Sequence, residues 1–441
     1  MAKYNVLNEW FVHGKDYDDF KETLKSIDKA TDTKRITLAR VTFYSHSGQI
    51  VKVKDKKARE LTGLECYMSK IGELTPAHEK FTKKFFLPIE KLEACGFEKE
   101  AIDELIESKT FISIKTGTED SFYTIDKNNF PKTFAMQIDS GCEAILEPSL
   151  ARDRWFAFCC EERKNKHINI VTRIDDAGNH KVFAGFSDHY CAVPQEILIS
   201  AIEKFEANGT KCEFEEYHAS QNITSAIFSL PDVQGDINKL YKLPTQLTPA
   251  LVLQTSDTGF SSLKVWGGFI RGGKVVCKNK DCASRKHSGK IDKVTEELYE
   301  HIEKKVFSSY FEFPKKMLEA FSVTVDEEEY IPYIIKVLVK ELGLIKPIGL
   351  KRWYGSSKET EEETVPLLDL LCDNLRGNCF CLYDIFNEML NLPSMLENVI
   401  ENDAVNDVQE KLFNVAFLNY DKVIKNAIEM MEEEKAKKSS K

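Results

Sequence analysis

The sequence predicts an α+β protein: an antiparallel, β-rich central domain with a mixed N-terminal region before it and a helical C-terminal region after it. Three observations predict this. Between about 136 and 290, short β-branched and aromatic runs are separated by turn residues. A helix-forming segment interrupts those runs once, whereas a doubly wound sheet would need one after every strand. Beyond 290 the apolar residues switch to helical spacing.

In the N-terminal region, 1–135, the alternating run from Arg35 to Phe43 reads as a strand. Ile102, Leu105 and Ile106 between Leu92 and Glu107 read as a helix, and Phe111–Ile114 returns to strand. In the central domain, 136–290, the run from Trp155 to Cys160 reads as a strand, which puts one of Cys159 and Cys160 inside and the other outside. Ile168–Val171 and Lys181–Phe186 flank the turn residues Asp175–Asn179 and form a hairpin. Pro194 opens a helix over 194–206, closed by Asn208-Gly209. Strands are expected at 211–216, 223–230, 250–254, 263–270 and 275–277. In the C-terminal region, 291–441, Ile291, Val294, Leu298, Ile302 and Val306 form an apolar stripe. Further helices are expected at 328–343, 365–376, 380–391 and 404–432, with a polar loop over 355–363.

Composition narrows the class. With 441 residues, 42% hydrophobic and 28 Phe, the chain is long and apolar enough for a sizeable core. No run approaches the roughly 20 apolar residues of a membrane span, and Met1–Asn5 starts no apolar leader. Twelve scattered Cys suit reduced thiols in the cytoplasm, the compartment expected here.

Catalytic motifs are weak. Gly268–Lys274 has phosphate-loop spacing, but Val275 stands where Ser or Thr would hold magnesium, and a strand follows where a helix should. A glycine hairpin turn is the better reading. Cys277, Cys282 and His287 lack a fourth ligand for zinc, so no metal or cofactor is expected. No nucleophile elbow, zincin motif or EF-hand loop is present, and no enzyme is expected.

One local signal runs against the chain's formal net charge of −10. Arg271, Lys274, Lys278, Lys280, Arg285, Lys286, Lys290 and Lys293 crowd a short segment holding only Asp281 and Asp292. Such a segment either contacts a polyanion, releasing its counterions, or is simply a solvated loop. A second set, Arg152, Arg154, Trp155, Arg163, Lys164, Lys166 and His167, adds an aromatic ring that could stack on a base or belong to the core.

Phe183–Gln195, Thr255–Ser262, Val275–Asn279 and Lys286–Ile291 resemble, in order and spacing, four segments of a phage- and plasmid-borne family catalogued as domain of unknown function 932. The resemblance covers about residues 145–310 and departs from the family in where Arg precedes the Val275-Val276-Cys277 segment. It implies a mobile-element origin, a host-cytoplasm setting and no established activity. It also implies that Cys277, Asn279 and His287 shape a recurrent turn.

Two functions follow as expectations. The first is a non-enzymatic protein binding nucleic acid, single-stranded DNA foremost, through Arg271, Lys274, Lys278, Lys280, Arg285 and Lys286, with Asn279 and His287 shaping the turn or donating from it. The second is an interaction protein that docks a host or phage protein through its acidic helical region. Neither reading involves a membrane, and either is compatible with a homo-oligomer.

Overall fold

The computed structural model describes residues 10–45, 50–51, 110–115, 120–124, 130–140, 156, 159–174, 180–243, 246–279, 283–285, 300, 307–355, 365–397, 399–400 and 402–439. It is an α+β fold with two antiparallel-rich sheets and a helical C-terminal region. In chain order the first elements are β1 (Phe11–Gly14), α1 (Tyr17–Ala30), β2 (Thr31–Thr37), β3 (Val41–Ser45), β4 (Ile50–Val51), β5 (Thr110–Lys115), β6 (Asp120–Thr124) and α2 (Phe130–Gln137). There follow β7 (His167–Ile174), β8 (His180–Ser187), α3 (Ile197–Ala207), β9 (Glu213–Ser220), β10 (Thr224–Ser229) and α4 (Pro231–Leu240). The central strands close with β11 (Thr248–Thr255), β12 (Leu263–Arg271), β13 (Lys274–Lys278) and β14 (Ala283–Arg285). The helical region contributes α5 (Phe307–Glu319), α6 (Ile331–Glu341), α7 (Ile345–Ile348), α8 (Leu350–Tyr354) and α9 (Leu367–Leu375). It ends with α10 (Leu382–Met389), α11 (Leu392–Leu396), α12 (Asn402–Phe413) and α13 (Tyr420–Ser439).

The first sheet runs β1-β9-β10-β11-β12-β13, with β14 also paired to β12; the second runs β2-β7-β8-β6-β5-β3-β4. Strand pairing crosses the boundary expected at 135, because β1 pairs with β9 and β2 with β7. Alternation then assigns the faces of the first sheet. Tyr217, Ala219, Ala226, Phe228, Leu251, Leu253, Val265 and Phe269 share one core with α1, α3 and the helical region. Ile227, Ala250, Val252, Trp266, Ile270 and Val275 form a smaller cluster on the opposite face.

Most expected strands are present, and the hairpin of β7 and β8 pairs antiparallel as its turn residues require. Three expectations are corrected. The strand read over 35–43 is two strands, broken by a turn at Leu38–Arg40, and β2 and β3 take different partners. The strand read over 155–160 is helical at 156 and 159–162, so Cys159 and Cys160 are both buried. A short apolar run cannot by itself separate a buried strand from a buried helix. The helix read over 404–432 is broken after Phe413 and restarts at Tyr420. The helix read over 92–107, the stripe from Ile291 to Val306 and most of the polar loop lie outside the described residues. No helix of the described residues is long and apolar enough to cross a membrane.

Candidate nucleic-acid interface

The phosphate-loop spacing at Gly268–Lys274 is the β12–β13 hairpin. Arg271 pairs with Lys274 across a two-residue turn in which Gly272 (φ 57°) and Gly273 (φ 80°) take left-handed backbone. Two cations of this hairpin, Arg271 and Lys278, point into the protein, and the third, Lys274, is exposed but paired. The Arg271 guanidinium donates to the Asn387 carbonyl (3.3 Å), Asn391 Oδ1 (2.8 Å) and Asn387 Oδ1 (2.6 Å), tying the hairpin to α10 and the turn after it. Lys274 pairs with Glu397 just beyond α11. Lys278 is buried; its Nζ donates to Asn406 Oδ1 at 2.6 Å and lies 4.6 Å from the centre of the Trp266 ring. Burial lowers the Arg271 pKa, although the side chain remains charged.

The helices that hold these cations are not a removable cover. Val408, Leu412 and Phe413 of α12 belong to the same core as the first sheet, and Gln409 donates to the Val275 carbonyl at 3.0 Å along the β13 edge. Uncovering the cations would expose those buried apolar side chains at roughly 1.5–3 kcal/mol each. Asn279 leaves β13 with its N–H bonded to the Gly267 carbonyl, and its neighbour Cys277 is buried. Lys280, Lys286, His287 and Cys282, and the side chain of Arg285, lie outside the described residues. In the second basic set, Arg163 and Lys166 both bond to Asp139, at 3.2 and 3.3 Å, and Lys164 pairs with Glu161. Among the described residues no group of three or more His, Cys, Asp or Glu is arranged to hold a metal.

The opposite face of the first sheet carries a different feature at its β1 edge. His13 lies directly across from His218, with ring centres 5.9 Å apart and planes within 21°. Phe11, two residues back on the same side of β1, stands 6.3 Å from His13 and 5.9 Å from His218. Phe11 is 62% exposed, far more than an aromatic ring with a core role. Beside this group, Glu216 Oε1 lies 3.3 Å from His218 Nε2, and that bond, with Lys15 and Lys274 nearby, holds the Glu216 carboxyl below the usual range against its burial. Further along the face, Lys264 lies 5.3 Å from the Trp266 ring centre, and Trp266 donates its indole N–H to Glu410 at 3.0 Å. The exposed Lys15 Nζ comes within 3.8 Å of where a Cβ on Gly273 would sit. A flat sheet would hold β1 and β13 about 24 Å apart, further than a lysine reaches, so the sheet is coiled.

Two segments that carry the family resemblance meet at a polar joint between the sheets. Arg173 of β7 is fully buried and pairs with Asp257, just past β11, at 2.8 and 3.0 Å. Arg173 also donates to the Gln221 carbonyl (2.8 Å) and Thr31 Oγ1 (3.3 Å), and lies 4.6 Å from the Phe183 ring centre. Tyr190 donates its hydroxyl to the Asp257 carbonyl at 3.4 Å, and its ring stacks on Phe186 at 4.0 Å. Gly259 (φ 81°) passes so close to Phe186 that an added Cβ would sit 2.9 Å from that ring. Phe183–Tyr190 and Thr255–Ser262 are therefore two sides of one contact.

No family model, curated protein or solved structure matches this chain. Sequence reasoning missed both the ring group and the joint, because their partners lie far apart in the chain. The only local signal for the rings was the alternation Phe11-Val12-His13.

Proposed function

We propose that this is a non-enzymatic protein that binds single-stranded nucleic acid along the β1–β9 edge of the first sheet. The observation that carries the reading is the group of three neighbouring rings, Phe11, His13 and His218, with Phe11 widely exposed and Lys15 alongside. Unpaired bases stack on such rings with little regard to sequence, and each stacked base is worth about 1–3 kcal/mol. The cations that could meet phosphates here are Lys15 and Lys264. The reading keeps the expected cytoplasmic setting and the mobile-element origin that the resemblance implies.

Titration of a fluorescent oligothymidine by anisotropy tests it. Phe11→Ala with His218→Ala should weaken binding about 5- to 150-fold, the factor corresponding to about 1–3 kcal/mol. With two cations the salt slope should be about −1.4, whereas six phosphate contacts from the basic segment would give about −4. No binding at low salt ends the proposal.

A second reading has its own support. Residues 307–441 hold 25 Asp and Glu against 16 Lys and Arg, a formal −9 of the chain's −10. Asp369 and Asp373 of α9 are exposed one turn apart, and a surface of this sign suits a basic protein partner. A stoichiometric protein complex that survives nuclease treatment and is lost in Asp369→Lys with Asp373→Lys would favour it.

A further inference from the structure

The ring group stands at one end of a polar row that crosses the first sheet. His13 of β1 pairs with His218 of β9, His218 with Ser225 of β10, Ser225 with Gln254 of β11, and Gln254 with Lys264 of β12. Residues paired across antiparallel strands point to the same face, so these five side chains form a line at right angles to the strands. The next row on that face, Ile227, Val252 and Trp266, is apolar and buried, whereas every member of the polar row keeps some exposure. Ser261 gives its hydroxyl proton to the Ser262 carbonyl at 2.9 Å, so towards Gln254 it is an acceptor, and Gln254 Nε2 donates to it at 2.8 Å. The amide is thereby fixed with Oε1, which bonds to none of the described residues, as the group left for a ligand. Ser225 Oγ and the Lys264 ammonium also bond to none of the described residues. In this Lys264 differs from Arg271, Lys274 and Lys278, which are each held by a group of the helical region.

We propose that this row is the path of the bound strand: a single-stranded nucleic acid crosses the first sheet, stacking on Phe11, His13 and His218 at the β1 edge, giving a base N–H to Gln254 Oε1 midway, and meeting Lys264 with a phosphate at the β12 end. The inference rests on the reading of the rings as the binding surface. It adds to that reading a direction, a length and two further contacting residues, Ser225 and Gln254. Four strand-to-strand steps separate β1 from β12, and at about 4.8 Å each the row spans about 19 Å. A strand rising about 3.4 Å per nucleotide covers that span with about six nucleotides, and a stretched strand with fewer. Each base carries an amino or imino N–H on its Watson–Crick edge, so an acceptor at Gln254 adds affinity with little choice of sequence.

Anisotropy titration of fluorescent oligothymidines of two to twelve nucleotides against the full chain tests this. Affinity should climb with length to about six nucleotides and then level off. The salt slope should steepen from about −0.7 for the shortest strands, which reach Lys15 alone, to about −1.4 once Lys264 is reached. In Lys264→Gln the slope should stay near about −0.7 at every length. Gln254→Ala should weaken the six-nucleotide strand about five-fold, the factor for one neutral hydrogen bond, and leave the two-nucleotide strand unchanged. An affinity already level at two nucleotides in the unmodified chain, or a six-nucleotide affinity untouched by Gln254→Ala, overturns the path; if Phe11→Ala with His218→Ala still weakens binding, the rings stand and the path alone falls. Loss of all binding at low salt overturns both.

Discussion

Replacing Asp257 by Ala should be among the most damaging single changes in this protein. The substitution strands the Arg173 guanidinium, whose side chain is 1% exposed, in a site where water cannot replace the lost carboxylate. Breaking one partner of a buried pair costs about 3–5 kcal/mol, because the remaining charge keeps its desolvation penalty without its compensation. Arg173 would retain the Gln221 carbonyl, Thr31 Oγ1 and the Phe183 ring, which places the loss near the lower end, about 3 kcal/mol. Urea unfolding followed by far-ultraviolet circular dichroism measures it: the midpoint should fall with little change in slope. Arg173→Met should be similarly harmful alone. The double variant should lose clearly less than the two single losses combined, since neither charge is then left unpaired. A loss under about 1 kcal/mol for Asp257→Ala, or simple additivity in the double variant, would refute the claim that this pair joins the sheets.

Other outcomes follow from the same geometry. Gly259→Ala forces a Cβ to 2.9 Å from Phe186 at a left-handed φ of 81°, and should cost about 2–4 kcal/mol in thermal or urea unfolding. Arg271→Ala removes three bonds to the helical region and should cost about 2–3 kcal/mol while leaving oligonucleotide affinity unchanged; Lys274→Ala, an exposed pair, should cost under about 1 kcal/mol. Asp28 titrates at about 6 in the folded chain, above its ordinary 3.8, so the native state binds this proton more tightly than the unfolded state. Stability from this group therefore rises as pH falls from 7 towards 4.5, by about 2 kcal/mol, and is lost again as pH climbs through 6. Asp28→Asn should flatten that part of the stability profile.

What was legible in the sequence was local. The Gly272-Gly273 turn, the β7–β8 hairpin and the strands from β9 to β13 follow from turn residues and alternation within a few positions. The pattern failed where one short run could serve two structures. Trp155–Cys160 has strand composition but is helical where described, and the Arg35–Phe43 run hides the turn at Leu38–Arg40. The basic segment was visible as a cluster of charges, but its partners were not. Arg271, Lys274 and Lys278 bond to Asn387, Asn391, Glu397 and Asn406, more than 110 residues later in the chain. The same distance in sequence concealed the rings: His13 and His218 become neighbours only through the pairing of β1 with β9. Tyr190 and Asp257 lie 67 residues apart in the chain, yet the bond between them makes their two segments one contact.

The most direct measurement is zero-length photo-crosslinking of oligothymidine to the full-length chain, with the adducts mapped by peptide mass spectrometry. Adducts should fall in peptides containing residues 10–16 and 213–220, where Phe11, His13 and His218 meet. Adducts confined to 274–290 or to the helical region would contradict the assignment of the rings as the binding surface.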